Sequence, residues 1–272
     1  SDRVFSPTVW FEIDTAGKVL VNIATAEMGQ HVGTALAKII ADELGASWES
    51  IAIKHVDTDP KWGYMVTGGS WSVFTSYKPL SQAGAAGRIA IIEAGAKLMK
   101  KPVVECTAKE GFVHAGSKKV SFADIVQKGD IDRTFTADEL AALPIKSPKK
   151  HNIIGQEAKA LDIPPKTNGT AVYGIDVEIP GMIYARPIVP PTRYGNKVKT
   201  VDDSAAKSVP GYIGYKELQD PSDHLHGWVS VLAQSYYAAI QAANKIKVEY
   251  VLGSSIAVDE QTIGGRAQAG GG

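Results

Sequence analysis

Two short stretches hold the residue types that could do chemistry. The first is Thr25-Ala26-Glu27-Met28-Gly29-Gln30-His31-Val32-Gly33-Thr34, between a predicted strand and a predicted helix. A glycine-bearing strand-to-helix turn presents backbone N–H groups at a helix N-terminus, which favours phosphate or another anion. Its glycines fit neither a Walker loop nor a dinucleotide fingerprint, because Gly29 and Gly33 are followed neither by Gly-Lys-Ser/Thr nor by the third glycine. An ordinary helix-entry turn is the competing reading. The second stretch is Thr67-Gly68-Gly69-Ser70-Trp71-Ser72. Small and hydroxyl residues in a row let a ligand come close to the backbone and offer it several hydrogen bonds; an ordinary loop has the same composition.

Other chemistry-bearing residues lack partners at useful spacing. Cys106 is the single cysteine, which excludes an internal disulfide, a thiolate-held iron–sulfur cluster and a multi-cysteine zinc site. It sits in a strand-like run with no histidine nearby and reads as a buried structural thiol. His224 and His226 share one side of an extended segment, but no third ligand accompanies them and the context reads as a surface loop. Asp42 and Glu43 read as the solvated side of a helix. No Ser-His-Asp set or carboxylate pair stands out, so a hydrolase built on the hydroxyls near Ser70 has no identifiable base.

The elements that must position these stretches follow from periodicity. Val9, Phe11, Ile13 and then Val19, Val21, Ile23 alternate around Thr15-Ala16-Gly17, as a β-hairpin requires. From Val32 the period lengthens, with Leu36, Ile39, Ile40 and Leu44 on one face and Gly45 as the stop. Ile51–Val56 reads as a strand, followed by a long loop to Gly69. A second helix is predicted from near Pro79, a first-turn residue, to Met99. Gly84, Gly87 and Gly95 inside it each cost about 1 kcal/mol against alanine, and close approach of another backbone or a cofactor explains their presence. Val103–His114 reads as a strand pair and Phe122–Gln127 as a short helix. Pro144, Pro148, Pro164 and Pro165 mark an aperiodic stretch that is placed at the domain boundary. Beyond it, strands are predicted at Ala171–Val177, Met182–Val189, Val198–Val201, Tyr212–Leu218, Trp228–Gln234 and Val248–Leu252, with a helix at Ser235–Ile246. The predicted class is α+β.

Balance and length remove several functions. The 29 basic residues equal the 29 acidic ones, so nothing in net charge favours nucleic acid. Even the most apolar helical run, Leu80–Met99, is broken by Gln82, Arg88, Glu93 and Lys97, so no membrane span is predicted. At 272 residues, about two domains are expected.

Together, the Thr25–Gln30 and Thr67–Ser72 stretches, in that order around one helix, resemble the molybdenum-cofactor subunit of molybdenum hydroxylases. The likeness is to the isoquinoline 1-oxidoreductase beta-subunit and periplasmic aldehyde dehydrogenase branch. Gly169-Thr170-Ala171-Val172-Tyr173-Gly174-Ile175-Asp176-Val177-Glu178-Ile179-Pro180-Gly181-Met182-Ile183-Tyr184-Ala185 resembles the entry to an α/β hammerhead domain, here after the Met-Gly-Gln segment as in that branch. The resemblance spans residues 6 to about 260 and implies the following organisation: residues 1–150 as the N-terminal part of a molybdopterin-binding domain, 151–168 as a linker, 169–256 as the hammerhead, and 257–272 as a flexible tail. It implies that Met28, Gly29 and Gln30 contact the pterin, that Gly68, Gly69, Ser70 and Ser72 hold the phosphates and nucleotide, and that no side chain ligates the metal. The implied cofactor is molybdenum-molybdopterin cytosine dinucleotide, shared with a partner chain, with 2Fe–2S clusters in a partner subunit. A C-terminal molybdenum-domain chain, a cytochrome c or FAD subunit and a small-molecule substrate complete the implied partners, and the implied compartment is the periplasm.

Two departures matter. The family's catalytic glutamate lies far C-terminal to the hammerhead, so it is expected on another chain, and this one reads as the N-terminal part of a large subunit that is split, cleaved or truncated. Ser1 in place of Met fits a processed or trimmed start. His31 stands where many relatives carry glycine, and either faces the cofactor and substrate or is an exposed loop histidine. The functional expectation is a component of an enzyme that hydroxylates an aldehyde or N-heteroaromatic carbon with water. The alternative class is a non-catalytic scaffold of the same fold.

Overall fold

The computed structural model describes residues 3–131, 133–222, 224 and 226–270, which fall into two compact units, Ser1–Ala171 and Val172–Gly272. The first unit is built on a four-stranded sheet. Strands β1 (Val4–Thr8), β2 (Phe11–Asp14) and β3 (Val19–Ile23) run antiparallel in turn. Alternation decides the inward face: Phe11, Ile13, Val19, Val21 and Ile23 are buried while Glu12 and Asp14 point away. Helix α1 (Val32–Leu44) then crosses over, and β4 (Ile51–His55) pairs parallel to β3. Gly45 ends α1 at φ 76°, and a Cβ there would sit 2.5 Å from the Ala108 carbonyl oxygen, so both conformation and space demand glycine.

Helix α2 (Ser72–Met99) begins seven residues ahead of its predicted start, leaving Pro79 inside it. Proline there removes the bond to the Thr75 carbonyl, but Thr75 is exposed, so solvent can take that acceptor and the helix continues. The interior glycines serve backbone approach. A Cβ on Gly84 would lie 2.9 Å from the Ile40 carbonyl oxygen and 2.7 Å from the Glu43 Cβ; one on Gly87 would lie 2.5 Å from the Phe11 ring. Thus α2 packs against α1 and β2 at distances only glycine allows. Strands β5 (Thr107–Lys109), β6 (Phe112–Ala115) and β7 (Lys118–Ser121) form an antiparallel sheet, and α3 (Phe122–Lys128) starts at Ser121, whose hydroxyl accepts the Asp124 N–H. A capping box on Thr136 and Glu139 opens α4 (Ala137–Ala142).

Two expectations are corrected here. Asp42 and Glu43 are 1% exposed rather than solvated. The helical period explains it: each follows an apolar residue, Ile39 or Ile40, by three positions and so shares its face. Both carboxylates are fully engaged. Asp42 Oδ2 accepts the N–H groups of Asn152, Ile153 and Ile154 at 2.8–2.9 Å, and Lys146 contacts its Oδ1 at 3.2 Å. Glu43 accepts the Lys146 N–H at 2.6 Å and Arg88 at 2.8 Å. The stretch 151–168, expected as a linker, therefore lies on the first unit. It continues with Leu161, whose N–H donates to the Thr34 hydroxyl at 2.8 Å, and ends in α5 (Ile163–Asn168), with Pro164 and Pro165 near its start, where missing N–H groups cost least.

The second unit contains β8 (Tyr184–Ile188), β9 (Lys197–Asp202), β10 (Tyr212–Glu217), β11 (Val229–Ala233), α6 (Tyr236–Ala243) and β12 (Lys247–Val251). Its sheets run β10-β11-β8 and β12-β9, all antiparallel, around a core that includes Val231, Ala233, Ala239 and Ala242. The predicted strand at Ala171–Val177 is absent; Gly174–Asp176 forms a short 3-10 turn, and exposed Val172 and Ile175 have no paired strand to pack with. The tail read as flexible forms α7 (Glu260–Ala269), started by the Asp259 side chain accepting the Thr262 N–H, with no buried residue. Among the described residues no helix is long and apolar enough to cross a membrane.

Replacing Gly84 by Ala is expected to lower stability by about 1–3 kcal/mol through overpacking against backbone, read in denaturant melts; an unchanged midpoint would contradict the α1–α2 contact. Asp42→Ala is expected to cost about 3 kcal/mol or more, because buried N–H groups lose their acceptor. Burial raises the Asp42 pKa, but the N–H groups of Ile154, Ile153 and Asn152 and the Lys146 charge outweigh it and hold it below the ordinary value. Its stabilisation is therefore complete above the unfolded aspartate value of about 3.9 and lost as pH falls through the lower folded value. The variant should show a flatter acid limb than wild type, and faster amide exchange at 152–154.

Candidate functional site

Parallel neighbours send their C-terminal loops out of the same sheet edge, which is where ligands gather in sheets with crossover helices. The loop after β3 carries Met28, Gly29 and Gln30; the loop after β4 carries Gly68, Gly69 and Ser70 and leads into α2 at Ser72. The structure joins them: the Ala26 N–H donates to the Thr67 hydroxyl at 2.8 Å, and His55 Nδ1 lies 3.2 Å from the Thr25 carbonyl. Two segments 41 residues apart in sequence are thus fastened together.

Within the first segment, the backbone donors of Met28, Gly29 and His31 are already used. Met28 N–H donates to Gln30 Oε1 at 2.6 Å, and Gln30 Nε2 donates to the Ala26 carbonyl at 2.9 Å. Gly29 and His31 N–H groups both donate to Glu27 Oε1, at 2.6 and 3.2 Å. The turn is therefore shaped by its own side chains and does not leave these amides open to an anion. Met28 projects outward, 69% exposed, and open space surrounds Gly29.

The second segment is the opposite case. Gly69 and Ser70 both take φ 59°, and the Trp71 N–H closes a turn on the Gly68 carbonyl at 3.2 Å. Helix α2 then starts with no side-chain cap, so its first N–H groups, together with the positive end of a 28-residue helix, face outward. Trp71 lies against Gly69, while open space surrounds Gly68. Tyr64, Val66, Trp71 and Phe74 are exposed apolar residues, Phe74 to 82%. A cavity of about 70 Å³ is walled by Trp10, Trp62, Tyr64, Val66 and Trp71 among others, and by Thr25, whose hydroxyl is buried without a partner.

A charged cluster without any counterpart in the sequence reading supports the first segment. Asp162 Oδ2 lies 2.9 Å from His31 Nδ1, and Lys166 donates to Asp162 at 2.6 Å and Glu27 at 3.3 Å. Asp162 and Lys166 sit in the proline stretch expected as a linker; their i, i+4 spacing is the one signal of it in the sequence. Burial raises the pKa of Glu27, but the Gly29 and His31 N–H groups and Lys166 outweigh it and hold the carboxylate below its ordinary range. The same balance, with Lys166 and His31 as partners, lowers Asp162, while Asp162 raises Lys166. Ligand atoms of Glu27, His31 and Asp162 come within 4.8 Å of one another, a spacing a cation can bridge, and the lysine ammonium already lies among them. His31 itself stands at φ 58°, a left-handed conformation in which glycine is unstrained. Its ring turns to Asp162 while its side chain stays 45% exposed.

Residues 3–171 match the model of the molybdopterin cofactor-binding domain. The chain belongs to that family. It is 52% identical over 268 residues to the membrane-bound aldehyde dehydrogenase [pyrroloquinoline-quinone] of Gluconacetobacter polyoxogenes, covering 98% of this chain and 35% of that protein. It is 28% identical to the beta subunit of isoquinoline 1-oxidoreductase from Brevundimonas diminuta, with 90% of this chain and 35% of that one covered. For a nicotinate dehydrogenase subunit from Pseudomonas putida the identity is 27%, with 89% and 20% covered. The chain thus spans about a third or less of the length of these relatives.

The remaining candidates have surroundings of their own. Cys106 is buried with its thiol directed at the Pro102 carbonyl, 3.4 Å away, and burial pushes its pKa up, which suits a structural thiol. His224 is exposed with Nδ1 on the Ser222 carbonyl, and the His226 ring meets Tyr194 edge-on.

Gly69→Val places a β-branched residue at φ 59° and a Cβ 3.2 Å from the Trp71 ring, and is expected to cost about 1–3 kcal/mol. Gly68→Ala, in open space without positive φ, should leave the thermal midpoint nearly unchanged. Equal midpoints for the two variants would contradict the loop geometry.

Proposed function

We propose that this chain forms one wall of the cofactor cleft in a molybdenum hydroxylase, and that the whole enzyme oxidises an aldehyde or N-heteroaromatic carbon with water as oxygen source. The observation that carries this is the uncapped start of α2, reached through left-handed Gly69 and Ser70 and fastened to the Met28–Gln30 turn by the Ala26–Thr67 bond. The residues fit an anionic dinucleotide-bearing group: open N–H groups, hydroxyls at Ser70 and Ser72, open space at Gly29 and Gly68, and an unpartnered Thr25 hydroxyl. When bound, the molybdenum pterin supplies the two-electron redox centre; the protein's share is to hold and orient it.

In this reading Gly68, Gly69, Ser70 and Ser72 hold the phosphates of a cytosine dinucleotide form, without any surplus of positive side chains. Met28, Gly29 and Gln30 border the pterin. Gln30 acts by shaping, since both ends of its amide are spent inside the turn. The Val172–Gly272 unit takes the part of the α/β hammerhead. The catalytic glutamate belongs to a C-terminal molybdenum-domain chain or segment, electrons leave through 2Fe–2S clusters of a partner subunit towards a cytochrome c or FAD subunit, and the complex works in the periplasm. The aldehyde and N-heterocycle substrate classes rest on the names of the relatives, one of which also names pyrroloquinoline quinone.

The native complex should contain stoichiometric molybdenum by elemental mass spectrometry, together with a further large chain and an iron–sulfur subunit. Gln30→Ala releases two hydrogen bonds of the turn and should weaken cofactor retention roughly tenfold. Pyrroloquinoline quinone without molybdenum would reassign the cofactor. A chain lacking both would make it the non-catalytic scaffold.

A further inference from the structure

Lys166 is the one cation that touches both Glu27 and Asp162 among the ion pairs of the described residues. It stands 139 residues from Glu27 in sequence, on α5, a helix of the stretch fastened along α1 by Asp42 and Thr34. Glu27 bears every hydrogen bond of its carboxylate on Oε1, because Oε2 is buried without a partner. That single oxygen orients the Gly29 and His31 amides on either side of Gln30. Without the ammonium, two mostly buried carboxylates would face one another around His31 with their charges unbalanced, which opposes the compact arrangement.

We propose that Lys166 is a positioning residue for the cofactor: its ammonium group binds Glu27 and Asp162 together and thereby sets the Met28–Gly29–Gln30 turn. This role rests on the cofactor reading above. Lys166 touches no reacting atom and acts only through Glu27. The stretch that immediately precedes the second unit is thus also the one that fixes the cofactor-facing turn.

The test uses the complete native complex with Lys166→Met, which keeps length and removes charge, and Lys166→Arg, which keeps charge; Lys166→Gln replaces the first variant should that one not assemble. Amide exchange is followed at Gly29 and His31 with the α2 core as reference, and molybdenum per complex is measured alongside. The neutral variant should exchange at least about tenfold faster at both turn amides, with the α2 core unchanged and molybdenum content lowered, and Arg should restore both. Unchanged exchange at the turn, equal acceleration throughout α1 and α2, or a loosened turn with full molybdenum retention would each overturn the role of Lys166. A wild-type complex without molybdenum would instead overturn the cofactor reading itself, so the two failures are distinguishable.

Discussion

Burying Asp42 inside α1 is tolerable only because the N–H groups of Asn152, Ile153 and Ile154 converge on one of its oxygens, with Lys146 at the other. An isolated buried carboxylate costs several kcal/mol; one that gathers three amides becomes an anchor for the chain that supplies them. From that anchor the 151–168 stretch is carried along α1 through Leu161 and Thr34 to Asp162 and Lys166, which meet the Glu27–His31 turn. Helix α1 is thus held at both ends by a segment that has no sheet or long helix of its own. The Glu27–His31 turn is thus linked, through one continuous segment, to a carboxylate at the other end of that helix.

The two motifs divide their labour. The Glu27–His31 turn spends the Met28, Gly29 and His31 amides internally, on Gln30 and Glu27. The Gly68–Ser72 segment closes one turn, the Trp71 N–H on the Gly68 carbonyl, and then opens a long helix that no side chain caps. An anionic cofactor is better served by donors of the second kind and by a rigid, uncharged flank of the first, since rearranging internally bonded amides would cost what their bonds are worth.

Much of this is legible in the residue order. Alternation at Phe11–Ile13 and Val19–Ile23 and the 3–4 spacing of Leu36, Ile40 and Leu44 specify the crossover unit, and that unit alone brings the two glycine-bearing loops to one edge. The prolines mislead twice, for the same reason. Pro79 and Pro164–Pro165 look like boundaries, yet one sits in an exposed turn where the lost bond is made good by solvent, and the others occupy first-turn positions where no bond exists. Charge misleads at Asp42 and Glu43, because polarity hides a helical phase that already puts both on the apolar face. Asp162 and Lys166 are invisible as site residues, since their partners lie more than 130 positions away and only tertiary packing brings them together.

Helix α2 has two chemically different halves joined at Pro79. Beyond it, Gly84, Gly87 and Gly95 are locked against Ile40, Phe11 and Val113, where almost any side chain collides with its neighbours. Before it, Ser72–Lys78 is mostly exposed and makes few demands on the core. Substitutions at such exposed positions usually change stability by no more than about 0.5 kcal/mol. In evolutionary terms the helix has a constrained root and a permissive tip. Descendants of this chain can remodel the exposed end, one residue at a time, without disturbing the packing that keeps the rest of the helix folded.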